Sequence, residues 1–409
     1  MEKYENIIIT EDNYYKYEGD LITLYSSIFE NPPHSEKCEI NELKKLFHKY
    51  LIYKDNLIIL KVIHSQEDVV AFCVGYSAYC AEEELQPLRE KVGTDFKNCY
   101  YIAELGILDS FRRKGFATDL LTHLIHSNTD KYSHFIVRTT EKNEASLSLY
   151  EKFYFKKIDQ VKCSIKKERT DEKEQIDNRI FLHLDLTIKK IGYMMLRLAK
   201  VKECGEKLVA ANHFDQEILL EKATIGLFPY GNGGDYANVR ESVAKKLKNI
   251  NEKIKKLHPN YRLNVCYGFR SKDIQKSAFC EQRRKMGEKR SQFDSIYDFV
   301  EEVHRFIAVP TVAGHPTGGA VDITIKDIEN DRFLDMGCLI YEFSSDKARW
   351  DAKGLTLEQK INRQLLYNLM TQEGFAPFWG EWWHYSYGDK EWAVYYDEES
   401  AIYEQIETV

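Results

Sequence analysis

No stretch of this chain is long and apolar enough to be read as a bilayer-crossing helix, which needs roughly 18 consecutive residues. No Cys-x-x-Cys pair occurs, and the nine cysteines are scattered and odd in number. A disulfide framework or a cysteine-type zinc site is therefore not expected, and free thiols fit a reducing compartment. Basic residues are not in excess: 58 Lys and Arg stand against 65 Asp and Glu, for a net charge of −7. That balance offers no nucleic-acid surface. The start, Met1-Glu2-Lys3-Tyr4-Glu5-Asn6, leads only into Ile7-Ile8-Ile9-Thr10. A secretory leader carries an apolar core of about 7–15 residues, so none is expected, and neither is a membrane partner. Cytoplasmic residence is the expectation.

What is present is enough for more than one core. At 409 residues, with 43% hydrophobic and 13% aromatic content, two globular domains are expected. Near residue 190 the pattern turns mixed apolar and basic, through Met194, Met195, Leu196, Leu198 and Val201. It is not rich in Pro, Gly or Ser, so the join reads as packed. The expected domains are 1–189 and 190–409.

In the first half, helices are predicted over Leu21 to Phe29, ended by Asn31-Pro32-Pro33, and over Ile40 to Tyr53. Strands are predicted at Leu57 to Ile63 and Val69 to Tyr76, joined by a Ser65 to Asp68 turn. Another runs from Tyr100 to Leu108 and feeds a basic, glycine-bearing turn, Asp109-Ser110-Phe111-Arg112-Arg113-Lys114-Gly115-Phe116-Ala117-Thr118, and then a helix from Ala117 to His126. Backbone N–H groups and the positive helix N-terminus can cradle a pyrophosphate there; the plainer reading is a basic helix start with a turn glycine. Further strands are expected at His134 to Thr139, Lys156 to Ile165 and Arg179 to Leu186, the last two joined by a charged loop from Lys166 to Asp177.

Arg112-x-x-Gly115-x-Ala117, followed by Asn143-Glu144-Ala145-Ser146-Leu147-Ser148-Leu149-Tyr150 and Phe155, resembles the GNAT acetyltransferases. The resemblance implies a mixed sheet flanked by helices and binding of acetyl-CoA through Ile107, Leu108, Arg112, Arg113, Lys114, Gly115, Phe116, Ala117, Thr118 and Asn143. It further implies Tyr150 as the acid beside the departing thiolate. Ser146 and Tyr154 stand where the family usually has alanine and glycine. Glu104 has two readings, a general base for the acceptor amine or a carboxylate on a half-exposed strand.

In the second half, Pro229 to Asp235 is a turn cluster, and Val243, Leu247, Ile250, Ile254 and Leu257 form one apolar helix face with lysines outside it. Tyr261 to Tyr267 reads as a strand leading to Gly268-Phe269-Arg270. Gly314-His315-Pro316-Thr317-Gly318-Gly319-Ala320-Val321-Asp322 and Gly380-Glu381-Trp382-Trp383-His384 together offer two imidazoles and a carboxylate, with Glu381 left over. Three ligands and an open position suit a catalytic zinc. Zinc brings the pKa of water towards ~7, and a carboxylate can then take its proton. A helix through Leu365, Leu366, Leu369 and Met370 ends near Gly374, and Trp392 to Val409 reads as a final strand with an acidic end.

These residues, with Tyr267-Gly268-Phe269-Arg270, Asp335-Met336-Gly337 and Asn362-Arg363-Gln364-Leu365-Leu366, resemble the zinc D-Ala-D-Ala dipeptidases of the vancomycin-resistance type. The resemblance implies an α+β fold, zinc on His315, Asp322 and His384, Glu381 as the base and Arg270 at the oxyanion. Two positions depart. Tyr341 stands where the family has an aspartate for the substrate's free amine, with Glu342 beside it, and Ala313 replaces a serine. Cys338 reads as a core residue, and Trp382 and Trp383 as pocket-shaping packing. The expectation is a bifunctional enzyme, a dipeptidase and an N-acetyltransferase, with small dipeptide and amine substrates. Its alternatives are a zinc carboxypeptidase on peptidoglycan stem peptides, and an acetyltransferase with a non-catalytic zinc-binding module. Oligomeric state stays open.

Overall fold

The computed structural model describes residues 3–31, 36–64, 68–92, 96–153, 155–168, 174–221, 236–343 and 345–406. Several expected features lie wholly or partly outside them: Pro32-Pro33, the turn before Asp68, Tyr154, part of the 166–177 loop and the Pro229 to Asp235 cluster. The chain divides into two compact units, Met1–Thr187 and Ile188–Val409.

The first unit runs β1 (Tyr4–Ile9), α1 (Tyr14–Phe29), α2 (Ile40–Ile52), β2 (Leu57–Ile63), β3 (Asp68–Ser77), α3 (Glu82–Val92), β4 (Cys99–Ile107), α4 (Phe116–Asn128), β5 (His134–Thr139), α5 (Glu144–Lys152), β6 (Lys156–Glu168) and β7 (Glu174–Asp185). Its seven strands are ordered β1-β2-β3-β4-β5-β7-β6. All neighbours are antiparallel except β4 and β5, which α4 connects as a crossover. β2 and β3 are almost continuously apolar because both sheet faces are covered. On one face the sheet packs with α1, α2 and α3, through Leu21, Phe47, Tyr50 and Leu85. On the other it packs with α4 and α5, through Leu120, Leu124 and Tyr150. The mixed sheet flanked by helices is the fold expected. α1 begins earlier than Leu21, because Tyr14 and Tyr17 are buried and extend its apolar face.

The β3–β4 ladder slips once. Val74 pairs with Glu104, but Gly75 already pairs with Ile102. Ala103 is therefore an extra residue on β4, a bulge that re-aims the strand at Glu104.

The second unit contains α6 (Tyr193–Leu198), β8 (Leu208–Ala210), β9 (Asn238–Arg240), α7 (Glu241–Leu257), β10 (Tyr261–Tyr267), α8 (Lys272–Lys285), α9 (Ile296–His304), β11 (Ala320–Asp327), β12 (Arg332–Phe333), α10 (Leu357–Gln372), β13 (Ala376–Pro377), β14 (His384–Ser386) and α11 (Lys390–Tyr395). The main sheet is ordered β10-β11-β14-β13, with β12 on β11, and β8 pairs with β9. α7 buries Val243, Leu247, Ile250 and Ile254 and turns its lysines outward. α10 starts with a capping box between Thr356 and Gln359. At the join, Ile191 and Leu196 are buried, and the first N–H groups of α6 bond the Glu301 carboxylate at 2.7 and 2.9 Å.

The expected final strand is corrected. Residues 390–395 are helical, because Asp389 caps them by accepting from the Trp392 N–H at 2.9 Å. That bond satisfies one of the helix's orphan donors and outweighs the strand preference of the aromatic residues.

β11 carries the site and is buried on both sides, with Val321, Ile323 and Ile325 each at 0% exposure on one face and Asp322 and Thr324 at 1% and 4% on the other. Replacing Ile323 with alanine leaves a cavity at its centre. A loss of about 2–5 kcal/mol is expected, read as a lowered midpoint in denaturant unfolding.

Candidate functional site

Strand register assembles the C-terminal site. Asp322 on β11 pairs with His384 on β14 on one side and with Tyr267 on β10 on the other. Directly opposite residues share a sheet face, so carboxylate and imidazole meet without further adjustment. His384 Nδ1 lies 2.9 Å from Asp322 Oδ1. His315 arrives from the single 3₁₀ turn His315–Thr317 and places Nε2 3.2 Å from Asp322 Oδ2. The ligand atoms of His315, Asp322 and His384 all lie within 4.8 Å of one another.

The other ring nitrogen fixes the tautomer of His315. His315 Nδ1 donates to the Gly268 carbonyl at 2.6 Å, leaving Nε2 as the lone-pair nitrogen. Gly268 is demanded by close packing, because a Cβ there would stand 2.5 Å from the Asn238 carbonyl oxygen. His384 Nε2 faces Glu391, at 3.9 Å. A ligand imidazole backed by a carbonyl or a carboxylate is the usual outer arrangement of a zinc centre. The donor set, its spacing and the His315 tautomer thus fit a divalent ion such as zinc.

The remaining groups converge on the same cleft, which His315, Asp322, Tyr341, Glu381, His384, Arg270 and Glu391 help to line. Glu381 reaches it because the chain turns, with the His384 N–H bonding the Glu381 carbonyl at 3.3 Å. Arg270 is 4% exposed, stacks over the Tyr267 ring at 4.7 Å and donates to Gln275 at 2.9 Å. Gln275 in turn is anchored on the Ala308 carbonyl at 2.7 Å. Arg270 lies 3.9 Å from Asp322. Tyr341 donates its hydroxyl to Asp322 Oδ2 at 2.5 Å. Glu342 accepts from the Leu339 N–H and is not among the cleft residues. Cys338 accepts from the Trp382 indole, and Trp382 and Trp383 are core residues.

Burial and charge divide the protons. Burial raises the Glu381 carboxyl to about 8, and Glu391 likewise to about 8. Burial lowers His315 to about 4. For Asp322 burial is outweighed by its two histidines, and it is held well below the usual carboxylate range. For His384 burial is outweighed by Asp322, with Glu391 and Glu381 adding, and its value rises to about 9. Glu391, Gln275 and the Asp322–Tyr341 bond were not read from the sequence. The Asp389 cap, which starts a helix and brings Glu391 round to His384, was the available signal for the first.

In the first unit Glu104 is half-buried and accepts from the Tyr50 hydroxyl at 3.0 Å. Ile107 ends β4, and the Leu108 N–H bonds the Val70 carbonyl at 3.0 Å. Arg112 pairs with Asp109 at 2.8 Å, Arg113 has φ +64°, and the Lys114 ammonium sits 4.4 Å over the Phe111 ring. Gly115 has φ +85°, a conformation that favours glycine, and nothing lies within 4 Å of where its Cβ would be. It caps α4, whose first residues are the buried Phe116, then Ala117 and Thr118. Asn143 spends its side-chain carbonyl on its own helix, accepting from the Ser146 N–H at 3.1 Å, so only its amide N–H groups remain for a cofactor. Tyr150 is buried against Phe155, and burial raises its hydroxyl so that it keeps its proton.

Residues 239–404 match the model of the D-ala-D-ala dipeptidase family, and residues 20–155 match that of the acetyltransferase (GNAT) family. A D-alanyl-D-alanine dipeptidase of Synechocystis sp. is 28% identical over 236 residues, spanning 50% of this chain and 92% of its own. Among solved structures, an N-acetyltransferase from Staphylococcus aureus Mu50 is 18% identical, covering 45% of this chain and 99% of its own at a TM-score of 0.33. The ribosomal-protein-S18-alanine N-acetyltransferase from Escherichia coli is 13% identical, covering 45% and 96% at 0.32.

A protonated His384 cannot ligate, so binding zinc must expel its proton. Affinity is expected to rise at least about tenfold per pH unit up to about pH 8, with at least about one proton released per ion. Calorimetry in buffers of different ionisation enthalpy measures that release; zinc binding independent of pH between 6 and 8 would contradict it.

Proposed function

We propose that this chain, a GNAT acetyltransferase domain followed by a D-Ala-D-Ala dipeptidase domain, is a bifunctional enzyme. Its second unit hydrolyses D-Ala-D-Ala with zinc, and its first N-acetylates an amine from acetyl-CoA. The observation that carries the reading is the gathering of three ligand atoms within 4.8 Å in one cleft with Glu381 and Arg270.

His315, Asp322 and His384 would hold the ion, which when bound supplies Lewis acidity towards the peptide carbonyl and acidifies water. Glu381 takes the proton of the attacking water. It then returns that proton to the leaving amine. Arg270, held by Gln275 and Tyr267, meets the charge developing on the carbonyl oxygen without having to move. A purely zinc-binding module has no use for this base and cation.

In the first unit, Glu104 takes the proton of the acceptor amine and Tyr150 protonates the departing thiolate. The loop from Ile107 and Leu108 through Arg112, Arg113, Lys114, Gly115, Phe116, Ala117 and Thr118 receives the cofactor's phosphates, with Asn143 donating from its amide. All nine cysteines are free, which supports a reducing cytoplasmic setting. No helix among the described residues is long and apolar enough to cross a membrane. Partners in this reading are small substrates, with no nucleic acid or membrane.

A second reading, a carboxypeptidase that accepts blocked amines, is favoured by Tyr341, which offers no carboxylate to a free amine and donates its hydroxyl to Asp322. Free D-alanine released from D-Ala-D-Ala, but not from its N-acetyl form, supports the dipeptidase. Release from the blocked peptide alone supports the carboxypeptidase.

Glu381→Gln is expected to lose about 10²–10⁴-fold in kcat while still binding zinc. Arg270→Ala is expected to lose about 10²–10³-fold in kcat. Steady-state D-alanine release, beside zinc content by mass spectrometry, measures both; loss of activity only through loss of zinc would remove these roles.

A further inference from the structure

The acetyl acceptor leaves a trace on the sheet of the first unit. Glu104 pairs with Val74, and Val74 and the Glu104 donor Tyr50 both belong to the core beneath α1 and α2. Glu104 therefore points to that face. On the next strand, Arg138 pairs with Phe181, a member of the same core, and lies two residues beyond Ile136, another member. Side chains two apart on a strand share a face, so Arg138 points the same way as Glu104. Arg179, two residues before Phe181, joins them.

Arg138 is an unusual tenant of that face. It is half-buried, yet forms no ion pair or hydrogen bond with another described residue. Glu84 and Glu104 act on its guanidinium only through space. Arginines held partly out of water are normally paired, since the planar fork suits a carboxylate bidentately. The apolar and aromatic residues around it, Tyr101 and Ile136, give it no acceptor of that kind.

We propose that the amine acetylated by the first unit belongs to a carboxylate-bearing molecule of amino-acid class, its amine at Glu104 and its carboxylate on Arg138. This rests on the acetyltransferase reading above. Neighbouring strands stand about 4.8 Å apart, a gap that a molecule of this size spans. In the transfer, the amide C–N bond forms and the thioester C–S bond breaks. The amine's proton goes to Glu104, and the thiolate of the departing coenzyme takes up one proton. The class of reaction that supplies such an acceptor is peptide-bond hydrolysis, which frees an α-amine and an α-carboxylate on small molecules. That is the reaction proposed for the second unit, whose products diffuse to the first through solution.

The test uses the full chain with acetyl-CoA and reads thiol release together with mass-spectrometric detection of the N-acetyl product. The acceptors are D-alanine, L-alanine and D-Ala-D-Ala, compared with D-alaninamide and ethylamine, and acetyl-CoA binding is measured separately by calorimetry. The inference expects acetylation of at least one carboxylate-bearing amine, and a kcat/KM lower by roughly 10- to 100-fold for D-alaninamide, the worth of charge-assisted hydrogen bonds. Arg138→Gln should raise KM for the carboxylate acceptor by a similar factor with kcat nearly kept, and Arg138→Lys should restore part of it. Equal use of acceptors with and without a carboxylate overturns the inference and leaves the acetyltransferase reading standing. So does acetyl-CoA binding with no acetylation of any carboxylate-bearing acceptor in the set. Absence of both acetyl-CoA binding and transfer removes the acetyltransferase reading, and this inference with it.

Discussion

A carboxylate with 1% exposure has to be answered, and in the second unit everything near Asp322 answers it. Left unpaired in the interior, such a charge costs several kcal/mol. Here two imidazoles take one oxygen each, the Tyr341 hydroxyl adds a short bond, and the Arg270 guanidinium stands behind. These partners come from a strand, a 3₁₀ turn and two loops. The pairing of β11 with β14 and β10 must therefore be correct before the charge is satisfied, so a slip of one residue would leave it exposed to the apolar core. The same arrangement that solves a folding problem gathers two imidazoles and a carboxylate, their ligand atoms within 4.8 Å of one another.

The proton distribution follows from this arrangement. Asp322 stays ionised and His384 charged, while burial keeps Glu381 and Glu391 neutral near pH 7. The metal-free cleft thus carries one surplus positive charge, Arg270 and His384 against Asp322. A divalent ion bound there, as in the proposed function, would displace the His384 proton and favour ionisation of Glu381. The base becomes available as the ion arrives.

The convergence of His315, Asp322, His384 and Glu381 was legible because histidine and aspartate around a Gly-rich turn, and glutamate beside paired tryptophans, are residue types with few structural uses in those places. The mixed sheet was legible from its near-continuous apolar strands. Groups brought in by distant elements were harder to read. Gln275 holds Arg270 from the first turns of α8, and Glu391 reaches His384 only because Asp389 starts a helix where aromatic residues suggested a strand. Tyr341 was noticed as a departure, yet its partner depends on tertiary placement that spacing does not encode. Asn143 shows the same limit: a residue type that suits a cofactor also suits an N-cap, and here its carbonyl serves the helix.

The bond from His315 Nδ1 to the Gly268 carbonyl has a consequence for how this site can vary. Arg270 follows Gly268 by two residues, so the carbonyl that holds His315 and the guanidinium beside Asp322 hang from the same peptide segment. On the proposed function, ion retention and turnover are therefore mechanically linked variables. A backbone shift at this hinge of β10 moves both together, and a lineage or an engineer seeking to retune either one has to work from the β14 side, through His384 and its carboxylate neighbour, where the two are separable.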